Sequence, residues 1–162
     1  MTTAAVSRHP IGPAGLVLAG GLVAGTLDIV YACLFWALKA GVPARRILQS
    51  VAAGLLGSAS FDGGSRTAAL GLFLHFFIAI TMAVVYYLAA RRWPLLWRRP
   101  WLSGAFYGVL LYLVMNFVVV PLSAAGPGSP DPLWVSLTIV VHVLFVGIPC
   151  ALFARQALLS RP

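Results

Sequence analysis

The sequence predicts an all-α integral membrane protein, a four-helix bundle with one additional short interfacial or re-entrant helix between spans one and two. Three observations carry that expectation. Of the 162 residues, 61% are hydrophobic and 9% charged, whereas soluble domains average about 45–50% apolar and about 25% charged. The mean hydropathy is +0.98. The apolar residues collect into four runs, each long enough to cross a bilayer core that needs about 20 residues. This composition excludes a soluble enzyme, a disordered tail and a secreted disulfide scaffold.

The first span occupies about residues 14–38, after Pro10 and Pro13 and before Lys39. The second, about 67–90, lies between Arg66 and Arg91-Arg92. A third, about 101–125, follows Arg98-Arg99-Pro100, and the fourth, about 133–154, ends at Arg155. Residues 43–61 form a shorter apolar stretch carrying Ile47, Leu48, Val51, Leu55 and Leu56 behind Pro43, which suits a helix's first turn. That stretch is too short to span, so it is expected to lie on the membrane or dip into it. Gly63-Gly64 break the chain, and Ser65 is the expected N-cap of the second span. The Gly126–Pro132 loop, rich in Gly and Pro, separates the last two spans. Residues 1–162 therefore read as a single transmembrane domain. Arg8 ahead of an apolar run resembles a signal-peptide start, but Asp28 interrupts that run and it continues to Leu38. The segment is read as a retained first span.

Eleven Lys and Arg against three acidic residues leave a formal charge of +8. The basic residues sit mainly between the apolar runs, with no basic face carrying aromatics placed to stack bases. The expected partner is the lipid bilayer, and nucleic acid is not expected. With both termini on one side, that side holds Arg8, Arg91, Arg92, Arg98, Arg99, Arg155 and Arg161; the other holds Lys39, Arg45, Arg46 and Arg66. The positive-inside rule then places both termini in the cytoplasm, with Trp93, Trp97 and Trp101 at that boundary. Cys33 and Cys150 fall in opposite halves of the bilayer, about 20 Å apart in depth, which leaves no disulfide expected.

Each span carries one polar group that is costly in hydrocarbon and marks a candidate site: Asp28, His75, Asn116 and His142. Counted from the outer ends, all four fall about 14–16 Å deep at 1.5 Å per residue. Gly104, Gly108, Tyr112 and Asn116 recur every four residues and make one stripe, and Gly21 and Gly25 share a face with Asp28. Both glycine pairs are small-xxx-small patterns that permit close helix packing. Pro121 deprives the Phe117 carbonyl of its helical partner. The four polar residues can simply bond one another and fix the packing at about 0.6 kcal/mol per contact. Alternatively they bind a proton, a cation or a small polar ligand. Asp28 beside either histidine would be a proton-linked pair, because a carboxylate stabilises imidazolium. A third alternative is a b-type haem held by His75 and His142.

Enzyme motifs are largely absent: there is no Glu, no Cys-x-x-Cys and no phosphate loop. Ser58, Ser60 and Asp62 flank a glycine-rich turn, and Asp62 and Arg66 are spaced to pair weakly. Gly21-Leu22-Val23-Ala24-Gly25, His75, Pro121-Leu122, His142 and Gly147 together resemble a group of small bacterial inner-membrane proteins distantly similar to the YagU-like family. The resemblance implies a bacterial inner-membrane protein and supplies no mechanism. The function expected is thus non-enzymatic, a transporter-like or sensor-like subunit that works as a homo-oligomer or with a membrane-protein partner. The alternative is a structural or accessory subunit whose glycine-lined faces bind another membrane protein.

Overall fold

A computed structural model describes residues 11–160, and among them the structure is helical with no strand. Arg8, Pro10 and Arg161, named above, lie outside the described residues. Four helices are long and apolar enough to cross a membrane: α1 (Pro13–Ala40), α3 (Gly64–Arg92), α5 (Pro100–Leu122) and α6 (Pro132–Leu159). Between the first two stands α2 (Ala44–Leu56), followed by a tight turn at Gly57–Phe61, and α4 (Pro94–Arg98) links α3 to α5.

The helix ends follow local chemistry. α1 stops at Gly41, which takes φ 63 and donates its N–H to the Ala37 carbonyl at 3.0 Å, while Val42 N–H reaches Trp36 O at 3.2 Å. α6 starts at Asp131, whose carboxylate accepts from Trp134 N–H at 2.9 Å, with Pro132 in the first turn. Ser65, the expected cap of the second span, is instead its second residue. Gly63 stands at the cap and Gly64, at φ 59, starts the helix two positions earlier, with no side-chain cap. α5 ends at Leu122, three residues short of the expected boundary, and α6 runs five residues beyond its own. Asp62 and Arg66 form no ion pair; among the described residues Lys39 pairs with Asp131, and His142 Nδ1 lies 3.9 Å from Asp28 Oδ1.

Both α5 and α6 contain one wide π-helical turn, at Met115–Val119 and His142–Gly147. Each ends two residues before a proline, Pro121 or Pro149. A proline within a helix lacks an N–H and its ring crowds the carbonyl four residues back. Inserting one residue's worth of slack relieves that crowding, so the helix continues where a tight turn would break.

Helix α6 is the central element. It packs against α1, α3 and α5, while α1 also packs along α3 and α2 lies on α3. The crossings are made by small residues. Ala24, Ala83, Ala90, Ala151, Ala154 and Ala157 are buried, while Phe73, Phe77, Phe106 and Phe117 face outward. Small residues at the contact let backbones approach, the pattern used when lipid-like surroundings give apolar burial no advantage. A Cβ on Gly21 would meet Ile80 Cα at 2.6 Å, and one on Gly25 would meet Ala79 and Phe76 at 3.0 Å. On α5, a Cβ at Gly104 would lie 2.8 Å from Ile148 Cα, and one at Gly108 would strike the His142 carbonyl. Gly147 meets Gly104 in return, and Gly71 sits under the Leu48 carbonyl of α2.

α2 is fastened to α3 by Gln49, which is 2% exposed. Its amide donates to Gly64 O at 3.1 Å and Thr67 Oγ1 at 3.3 Å, and Thr67 in turn donates to Ser60 O at 2.6 Å. At the opposite end, Tyr86 donates to Leu96 O at 3.0 Å and Ser103 donates to the same carbonyl at 2.6 Å, which holds α4.

Three variants test this packing by thermal unfolding in detergent. Gly108→Val is expected to cost about 3 kcal/mol or more, since the obstructing atoms are backbone and cannot rotate away. Gly12→Ala, which meets nothing within 4 Å, is expected to be neutral. Gln49→Ala is expected to cost about 1–3 kcal/mol through the buried acceptors it strands.

Candidate functional site

The four polar residues that the sequence places at one depth converge on a single cavity of about 230 Å³. Asp28 comes from α1, His75 from α3, Asn116 from α5 and His142 from α6, with Thr138 one turn before His142. Val51 of α2 and Trp134 of α6 close further walls, so every longer helix contributes. Room for the cavity exists because α3 and α5 both lean on α6 and not on each other. Side chains bridge the remaining gap: Tyr107 of α5 donates to the Met82 carbonyl of α3 at 2.8 Å.

The hydrogen bonds fix the ring tautomers. His75 Nε2 lies 2.8 Å from the Gly25 carbonyl, and His142 Nδ1 lies 3.0 Å from Thr138 O. A carbonyl only accepts, so each of those nitrogens carries the hydrogen. His75 Nδ1 and His142 Nε2 are then lone pairs in the neutral rings. His142 Nδ1 also lies 3.9 Å from Asp28 Oδ1, near enough for a loose ion pair when the ring is protonated. Asn116 donates one amide hydrogen to the Tyr112 carbonyl at 2.9 Å, and its Oδ1 is an acceptor. Tyr112 meets the His142 ring edge-on at 5.8 Å. The cavity is therefore rich in acceptors around one carboxylate, and most of its N–H donors are already engaged.

Position along α5 departs from the expected stripe. Gly104, Gly108 and Tyr112 are buried, but Asn116 is exposed. The π turn beginning at Met115 rotates the remainder of α5, so Asn116 stands at the cavity's edge between α3 and α5. The glycine faces that suggested an external partner are occupied inside the chain by α3 and α6.

A second cavity of about 190 Å³ adjoins the first and shares Asp28, His75, Thr138 and His142 with it. It leads toward α2 past Ile47 and Ser50, beside Trp36. Aromatic rings cover this side: Tyr31 stacks on Trp134 at 5.4 Å, and Phe35 and Trp36 approach the same indole at 5.0 and 5.3 Å. Tyr31 also reaches Thr138 Oγ1 at 3.4 Å. Above them the Lys39 ammonium pairs with Asp131, tying the end of α1 to the start of α6.

Trp134, Val51 and Met115 belong to the site and were not legible as such. Trp134 had a signal in the Asp131-Pro132 helix start, which sets its position in the first turn. Val51 had none, because its role depends on where α2 lies.

His75 and His142 line one cavity, and its volume is small for a haem. A porphyrin exceeds a drug-sized ligand, whose pockets run to about 300–1,000 Å³, and this cavity holds about 230 Å³. Among the described residues no group of three His, Cys, Asp or Glu is placed to hold a metal ion.

Comparisons of the chain with family models, with curated proteins and with solved structures return no match.

The Lys39 ammonium, helped by the Trp134 N–H, holds the Asp131 carboxyl below its ordinary value of 3.8. A carboxyl held down in the folded state stabilises the fold above its unfolded pKa, and the benefit disappears as pH falls through the folded one. The difference in melting temperature between wild type and Asp131→Asn, which keeps the helix cap, is expected to be constant near neutrality. It is expected to close only below about pH 4, as read by unfolding in detergent across an acid series.

Proposed function

We propose that this chain is a non-enzymatic, multi-pass protein of the bacterial inner membrane, with both termini cytoplasmic. Its midplane cavity takes a proton or a small cation bearing N–H or O–H donors, as a transporter-like or sensor-like subunit does. The observation that carries this reading is the cavity's chemistry. Four helices each bring one polar residue to a single space, and what those residues leave unspent is one carboxylate among acceptors. Such a space repels anions and is satisfied by a cation that donates hydrogen bonds.

The setting agrees with that assignment. Four long apolar helices with small residues inside and large apolar ones outside suit solvation by lipid. The excess of arginines at the Arg91–Arg99 end favours a cytoplasmic placement there. The bilayer's identity rests on the resemblance to YagU-like inner-membrane proteins. α2 then lies at the outer surface, where it roofs the cavity and seats an amphipathic face (Gln49, Ala52, Ala53) on α3. Four spans are few for alternating access, so the working unit is a homo-oligomer or a complex. The accessory-subunit alternative is weaker, because the glycine faces it invoked are consumed by internal crossings.

The test is thermal unfolding of purified protein with ethylammonium chloride against sodium chloride at equal ionic strength. A ligand at about 100 times its Kd stabilises the folded state by about 2.7 kcal/mol. Wild type is expected to melt higher in ethylammonium, and Asp28→Asn is expected to show no difference. An equal response from both proteins overturns the proposal.

A further inference from the structure

Beside the polar cavity runs an apolar furrow of about 380 Å³ between α3 and α5, walled by Phe77, Val85, Leu110, Val114 and Val119. It exists because α3 and α5 are not packed together along their length. Ile78, Met82 and Met115 line both spaces, so the furrow and the cavity adjoin at those three side chains. The polar groups along the furrow are already engaged. Thr81 donates to Phe77 O at 2.7 Å, and Tyr107 donates to Met82 O at 2.8 Å. Nothing there rewards a polar ligand, while the cavity's end offers a carboxylate and acceptors.

From these two contiguous environments we infer that the ligand of the midplane cavity is an amphiphilic cation, an amine with an alkyl tail, which enters sideways from the lipid. The inference rests on the cation-binding reading above and names its substrate class. The ammonium head lies by Asp28, within reach of His142 and Asn116, and the tail lies along the furrow. The cavity is large enough for the head and too small for the whole molecule, since its 230 Å³ falls under the roughly 300 Å³ at which drug-sized pockets begin. From Tyr107 to Val119 the furrow follows α5 for about 18 Å at 1.5 Å per residue, enough for an extended dodecyl chain. Met82 and Met115 stand at the threshold. Their unbranched, flexible side chains yield to a passing chain more readily than β-branched residues would. The smaller cavity toward α2 gives the head a separate contact with water past Ser50.

The experiment measures saturable binding of radiolabelled dodecylamine and ethylamine to the full chain in nanodiscs, with empty nanodiscs subtracted. Asp28→Asn is expected to lose both amines. Val114→Trp, which fills the furrow from a lipid-facing position outside the cavity, is expected to weaken dodecylamine at least tenfold. Ethylamine binding to the same variant is expected to be unchanged, which also shows that it is folded. If dodecylamine binds no more tightly than ethylamine, or is indifferent to Val114→Trp, the lateral route is wrong and the cation site stands. If neither amine binds saturably to wild type, the cation site itself fails and the inference with it.

Discussion

The crossing of α5 on α6 is the contact on which the rest of the structure depends. Gly104 and Gly108 bring α5 against the α6 backbone from His142 to Ile148, and Gly147 reciprocates. Any side chain larger than hydrogen would hold the two helices apart. Because this contact is so close, the backbone of α5 rests on α6, and α3 meets α5 through side chains such as Tyr107 on the Met82 carbonyl. The space left between α3 and α5 becomes both the inner cavity and the outer furrow. A looser crossing would let α5 slide toward α3, and the polar residues would face a packed core.

The two prolines extend the same logic into the helices themselves. Pro121 and Pro149 could have ended α5 and α6 within the apolar layer, leaving carbonyls without partners where no water can satisfy them. The wide turns before them keep each helix continuous at a small cost in regularity. Those turns hold Asn116 and His142. Two of the four polar residues thus occupy the only stretches of α5 and α6 where the ladder of backbone bonds departs from α-helical spacing. That departure sets where Asn116 points and why it sits at the edge of the cavity.

Charge is distributed sparingly and in layers. At one end Lys39 and Asp131 join α1 to α6 over a cluster of four aromatic rings. Below that cluster lies the single carboxylate of Asp28, facing His142 across 3.9 Å. At the other end, Tyr86 and Ser103 hold the arginine-bearing α4 by its backbone. Between the layers the buried interior is apolar and rich in alanine, with Leu16, Leu111, Val146 and Cys150 among the larger residues.

The amino-acid sequence by itself determined the helical class, the four long apolar helices, the short helix between the first two, and the choice of Asp28, His75, Asn116 and His142 as residues that line one cavity. All of these come from composition, from run length and from a fixed rise per residue, which are local properties. Helix ends were missed where glycine stands in place of a side-chain cap, as at Gly63. Only the tertiary structure decided which faces meet. It turned the glycine pairs inward, exposed Asn116 through a π turn and brought Val51 and Trp134 to the site. It also parted α3 from α5. Depth is set along one chain, whereas rotation and neighbours are set by backbone-to-backbone contacts between segments far apart in sequence, and no local pattern encodes those.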